Sequence, residues 1–114
     1  MIRLQIVEQP GTHLHRSLIG AMRSGELRTF IVERRGKRVK HRNPGYSGWI
    51  NWSESGGLIS CEVLSPQKPG GEWRLLSALI GRLADKYAAH VHSISIQFPD
   101  APGPKKRRRP RRSR

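Results

Sequence analysis

Residues 46–64 read YSGWINWSESGGLISCEVL, and their reading decides the fold. Successive side chains of an extended chain point to opposite faces. Tyr46, Ile50 and Trp52 therefore share one side of a strand over 46–53, and Trp49, Asn51 and Ser53 share the other. Glu54-Ser55-Gly56-Gly57 supplies a tight turn. Leu58 to Leu64 then alternates again, with Ile59, Cys61 and Val63 set against Ser60 and Glu62. Two period-two segments joined by such a turn predict a β-hairpin with one apolar face. That face has to be covered by something else in the chain.

The flanks supply the cover and more strands. Downstream, Pro66-Gln67-Lys68-Pro69-Gly70-Gly71 is a loop, and a helix is predicted from about Glu72 to Ala89. Its apolar stripe is Leu76, Leu79, Ile80, Leu83 and Tyr87, with Arg74, Arg82, Asp85 and Lys86 elsewhere. Trp73 in its first turn is expected over the edge of the core. Ile94, Ile96 and Phe98 alternate with Ser93, Ser95 and Gln97 in a last strand. Upstream, Asn43-Pro44-Gly45 is a loop. Lys37–His41 and residues 27–34 read as two strands joined by a tight turn at Arg35-Gly36, with Phe30 and Val32 opposite Ile31. A first helix is expected up to Ser24, with Thr12 as its N-cap, Leu14, Leu18, Ala21 and Met22 on one side, and Gly25 as a left-handed stop. Pro10-Gly11 separates it from a first strand, in which Ile2, Leu4 and Ile6 face away from Arg3 and Gln5.

The predicted order is β-α-β-β-β-β-α-β. The fold class is α+β: a mostly antiparallel sheet of five to six strands with two helices on one face, the other face open to solvent or to a partner. Residues 1–98 form a single compact domain. Residues 99–114 form a proline-rich linker and a basic C-terminal tail with no apolar residue to fold with, expected to be disordered.

The charge is concentrated. The 114 residues carry a formal net charge of +14, from 22 basic and eight acidic residues. Eight of the basic residues lie in the tail: Lys105, Lys106, Arg107, Arg108, Arg109, Arg111, Arg112 and Arg114. Six more lie in one short segment, as Arg34, Arg35, Lys37, Arg38, Lys40 and Arg42. The eight that remain balance the eight acids, so the whole excess sits in two short stretches. Crowded like charge repels itself, and phosphates that displace released counterions relieve that repulsion. Arginine predominates, and its planar fork matches phosphate oxygens.

Other classes are excluded or unsupported. Cys61 is the only cysteine, so neither an intrachain disulfide nor a cysteine-based zinc site can form within one chain; it reads as a small core residue in a reducing compartment. No basic leader with a long apolar block opens the chain, and no apolar run approaches the roughly twenty residues that span a bilayer. The expected location is cytoplasmic, or nuclear in a eukaryotic host, where the tail reads as a nuclear address. No phosphate loop, dinucleotide fingerprint or serine-nucleophile elbow is present, and no cofactor is implied. The helix, three strands and helix of double-stranded-RNA-binding domains are superficially similar. The extra strands at both ends, and the lack of a lysine cluster at the second helix start, set this chain apart. The aromatic consensus of the common RNA-recognition sheet is absent.

The expected function is a small, non-catalytic nucleic-acid-binding module, with RNA favoured over DNA. Arg34, Arg35, Lys37 and Arg38 form a basic hairpin that Lys40 and Arg42 extend. Trp49, placed on the polar side of its strand, is a candidate to stack an unpaired base, and the tail adds sequence-independent affinity. The partner is RNA, DNA or another polyanion, within a larger ribonucleoprotein in one version. Two alternatives stand beside it. One is a metal-independent, toxin-like ribonuclease with His41 and Arg42 at its site. The other is an interaction or inhibitor module that docks on an acidic protein. The pairs His13/His15 and His90/His92 suggest metal binding, but no metal site is assigned. The first pair lies in the predicted helix, where residues two apart diverge, the second straddles a helix-to-strand junction, and no acidic or cysteine ligand lies near in sequence.

Overall fold

The computed structural model describes residues 1–67 and 69–99. The basic tail lies outside the described residues, as does the expectation of its disorder. Six strands and two helices follow one another in the predicted order: β1 (Ile2–Glu8), α1 (Leu14–Ser24), β2 (Phe30–Glu33), β3 (Arg38–His41), β4 (Trp49–Ser55), β5 (Leu58–Leu64), α2 (Gly71–Lys86) and β6 (Val91–Gln97). They form one sheet of order β2-β3-β4-β5-β1-β6, antiparallel at every pairing. The fold is α+β.

The inward residues of the hairpin meet those of β1. Ile2 pairs with Val63, Leu4 with Cys61 and Ile6 with Ile59, and all six side chains are buried. Ile50, Trp52, Val39 and Phe30 continue this face toward β2. Leu14, Leu18, Ala21 and Met22 of α1 and Leu75, Leu76, Leu79 and Leu83 of α2 bury against it in one cluster. Burying each such leucine contributes about 1.5–3 kcal/mol, so this two-layer core is the main source of stability.

Several elements differ from their sequence-based expectation. Thr12 does not cap α1: its hydroxyl donates to the carbonyls of Gln9 (2.8 Å) and His90 (3.5 Å). The N-cap position is His13, in the left-handed region at φ 52°. The free amides of His13 and Leu14 donate instead to Glu8, at 3.3 and 3.2 Å. A carboxylate at a helix start also complements the helix dipole. Gly25 ends the helix at φ 85°, as predicted.

β2 begins at Phe30 rather than near residue 27, because Leu27 closes the chain back on α1 through its N–H to Ala21 O. Arg35-Gly36 is not a two-residue turn. A 3-10 turn over Arg34–Gly36 joins β2 to β3, which then starts at Arg38. β4 starts at Trp49, leaving Tyr46 in the preceding loop, and runs on to Ser55. α2 ends at Lys86, and a 3-10 turn spans Ala88–His90. Leu75 joins the buried side of α2, whereas Ile80 and Tyr87 are only half-buried. Trp73 remains 49% exposed instead of covering the core edge, and Phe98, 51% exposed, lies beyond β6.

Among the described residues, the second face of the sheet carries no helix. One row across all six strands reads Glu33, Arg38, Asn51, Glu62, Arg3 and Gln97, each residue paired with the next. Its charges alternate in sign, and Arg3 approaches Glu62 at 3.8 Å. This row is polar, and the face, which also carries Val7 and Ile31, is close to charge balance.

Candidate nucleic-acid interface

The basic segment occupies the β2–β3 hairpin and the loop after it. Arg34 and Arg35 both stand in the left-handed region, at φ 53° and 56°, followed by Gly36 at 88°. Residues with a Cβ pay roughly 1–2 kcal/mol for that conformation. The turn is held by contacts that offset this. Lys37 N–H donates to Arg34 O at 3.1 Å. The indole N–H of buried Trp52 donates to Gly36 O at 2.6 Å, and the Trp52 amide donates to Lys37 O at 3.0 Å. Gly36 is itself buried, and a Cβ added there would come within 3.2 Å of Ile19 and 3.6 Å of Arg23. The hairpin tip is therefore folded back on α1 and anchored to the core. It is not a free ribbon projecting into solvent.

Around this anchor Arg34, Arg35, Lys37, Lys40 and Arg42 are exposed. Among the described residues, none of them forms an ion pair with a carboxylate. Arg42 donates from Nε to Arg28 O at 2.7 Å, and its amide donates to Thr29 O. That leaves the rest of its guanidinium facing outward and adds Arg28 to the neighbourhood. Arg38 differs: it is half-buried, donates from Nε to Asn51 Oδ1 at 3.2 Å, and lies 4.9 Å over the Trp49 ring.

Trp49 is on the open sheet face, as its strand parity predicts, but it is half-buried and Arg38 covers one side of its ring. Its indole N–H is buried with no hydrogen-bond partner among the described residues. The sequence places Arg38 in the basic hairpin but does not reveal its position over Trp49, which follows from its cross-strand pairing with Asn51, two positions from Trp49.

His41 occupies a different setting. Its ring stacks on Tyr46 at 3.9 Å between centroids and 7° between planes, while Phe30 meets its edge at 5.4 Å. Arg74 covers the far side of Tyr46 at 4.3 Å. His41 Nδ1 accepts from the Asn43 amide at 2.9 Å. Burial lowers the imidazole pKa below its ordinary 6.5, and the nearby Arg74 charge lowers it further. A hollow of about 370 Å³ beside it is lined in part by Glu33, Lys40, His41, Arg42, Tyr46 and Ser47. The two proposed ribonuclease residues thus share a cleft, with His41 committed to a stack and a local hydrogen bond.

The first histidine pair, His13 and His15, also falls differently from the helical geometry expected of it. Because His13 precedes α1, His13 and His15 line one polar hollow of about 200 Å³ together with Glu8, Arg16 and Glu54. Burial lowers the pKa of His15, while Glu54 and Glu8 oppose that shift. The carboxylates come from positions 7 and 39 residues away from His15, so local sequence could not reveal them. Among the described residues, no group of three or more potential ligands is placed to hold a metal ion. No helix there is long and apolar enough to cross a membrane.

Compared with protein-family models, with curated proteins and with solved structures, the chain matches none.

Proposed function

We propose that this chain binds nucleic acid through its phosphate backbone, and that the β2–β3 hairpin is the site within the folded domain. The observation that carries this reading is the anchored tip: Arg34, Arg35 and Lys37 are exposed around Gly36, which the core holds in place. Cations fixed before binding lose less freedom on meeting a polyanion than cations on a mobile loop. Lys40 and Arg42 extend the patch, and the Lys105–Arg114 segment adds nonspecific affinity. The charge-balanced sheet face is a poor polyanion surface, so contact centres on the hairpin end of the sheet. RNA is favoured over DNA because the Arg38–Trp49 pair offers a stacking platform beside the patch.

The test is binding of labelled single-stranded RNA and duplex DNA across a salt series. Three full-length proteins are compared: the natural chain, Arg34→Ala/Arg35→Ala/Lys37→Ala, and a chain with the eight tail cations replaced by serine. The hairpin variant should flatten the slope of log affinity against log salt by about two to three, at roughly 0.7–0.9 per lost phosphate contact. An unchanged slope in that variant, with binding abolished by the tail variant, would move the site out of the domain.

A second reading rests on the cleft that gathers Lys40, His41 and Arg42: metal-independent RNA cleavage. It requires cleavage in chelator-treated buffer that His41→Ala abolishes. Salt-insensitive binding to an acidic protein, with none to nucleic acid, would instead favour an interaction module.

A further inference from the structure

The two edges of the sheet are built differently. β2 is four residues long, carries Glu33 and runs into the left-handed Arg34–Gly36 turn. Short length, charge and a kinked end all keep a sheet edge from pairing with other chains. β6, at the opposite edge, is seven residues long and contains no Asp, Glu, Lys, Arg or Pro. Its one irregularity is a register shift against Val7 and Glu8 at the His92 end, and pairing is regular from Ser93 to Gln97. An edge strand presents one row of backbone N–H and C=O groups outward, and among the described residues none of the usual guards blocks this one along Ser93–Gln97.

The helix surface beside that edge is equally free of charge. Trp73, Ser77, Ile80 and Ala84 follow one another at helical spacing on one face of α2. Ile80 and Ala84 line an apolar hollow of about 220 Å³ with Leu83, Ala88, Val91 and Ile94, which places this face on the β6 side. Trp73 meets Phe98, just past β6, with ring centroids 6.0 Å apart. Arg74 turns away to cover Tyr46. In a chain of net charge +14, a half-exposed apolar strip beside an unguarded edge is the mark of an interface.

We infer that β6 pairs antiparallel with β6 of a second copy, extending the sheet to twelve strands across a two-fold axis. Three features favour that occupant. The strip is self-complementary, since a two-fold axis normal to the sheet keeps both α2 helices on one side and sets the two hollows side by side. The excess charge of 34–42 lies at the opposite edge, about 24 Å away at five strand spacings, so two copies meet on their neutral sides. Antiparallel pairing also sends the two chains leaving Pro99 to opposite ends of β6. The two exit points then lie about 20 Å apart, beyond the screening length of roughly 8–10 Å. The basic segment itself has no apolar group with which to fill the hollow.

The test is molar mass by light scattering and sedimentation of the full chain, freed of nucleic acid, at about 0.5 M salt to suppress bridging by residual polyanion. A dimer is expected, with Ser93→Lys/Ser95→Lys raising its dissociation constant at least about tenfold through like charges at the pairing edge. Ala84→Glu, on the helix surface, should do the same and guards against a strand variant that merely misfolds. A natural chain that stays monomeric up to about 100 μM overturns the inference, whatever other protein it captures. So does a dimer that neither substitution weakens.

Discussion

Single positions carry effects out of proportion to their size. Gly48 stands at φ 105°, and a Cβ there would sit against Leu64 O and 2.8 Å from Ser65 Cα. Gly48→Ala should cost more than about 3 kcal/mol in urea denaturation, since both the backbone and the neighbouring strand would have to move. Arg35 is the opposite case. Arg35→Gly relieves a left-handed arginine and should raise stability by up to about 1 kcal/mol, while weakening polyanion binding. Opposite signs in a melting curve and a binding curve would separate the turn's conformation from its charge. Burial pushes the Cys61 thiol up to about 12, so the native protein should resist alkylation at neutral pH and react only when unfolded.

His15 and His41 are both held below the ordinary histidine pKa of 6.5, in each case chiefly by burial. The unfolded chain therefore binds their protons more readily than the folded one. Their effect on stability is absent well above 6.5, and destabilisation grows as pH falls through 6.5 toward the folded values. The melting temperature should drop between about pH 7.5 and 5.5, and His15→Gln/His41→Gln should flatten that drop.

At the scale of elements, strands written in strict alternation were legible. β5 occupies the segment its pattern predicts, and Ile59, Cys61 and Val63 are buried. Element ends were less so, because they depend on partners remote in sequence. The start of α1 is satisfied by Glu8, which belongs to a strand and precedes Leu14 by six residues. A local search for Ser, Thr, Asp or Asn at the cap finds Thr12 and misses it. Glu8→Ala should therefore cost about 0.5–2 kcal/mol, whereas Thr12 acts on the loop toward His90. The basic hairpin was visible as charge. Its attachment was not, because nothing local links Gly36 to an indole sixteen residues on. Likewise the parity that put Trp49 on the polar face was sound, but the guanidinium lying over it came from a neighbouring strand.

For the molecule as a whole, charge divides the sheet into unlike regions. The 34–42 segment is strongly basic, the uncovered face alternates in sign, and the β6 edge is neutral. A phosphate backbone and a second protein copy would then use different surfaces, and the binding slope and the dimer mass should vary independently among the variants described. Loss of both together on changing only Arg34, Arg35 and Lys37 would contradict that division.

The hydrogen bond from Trp52 to Gly36 makes this separation incomplete in one respect. A basic tip fastened to a buried indole has no hinge of its own, so it should open only when the sheet opens. A ligand gripping the tip would then slow amide exchange throughout the core as well as in the turn. At a hundred times its dissociation constant it would add about 2.7 kcal/mol to the stability of the whole domain.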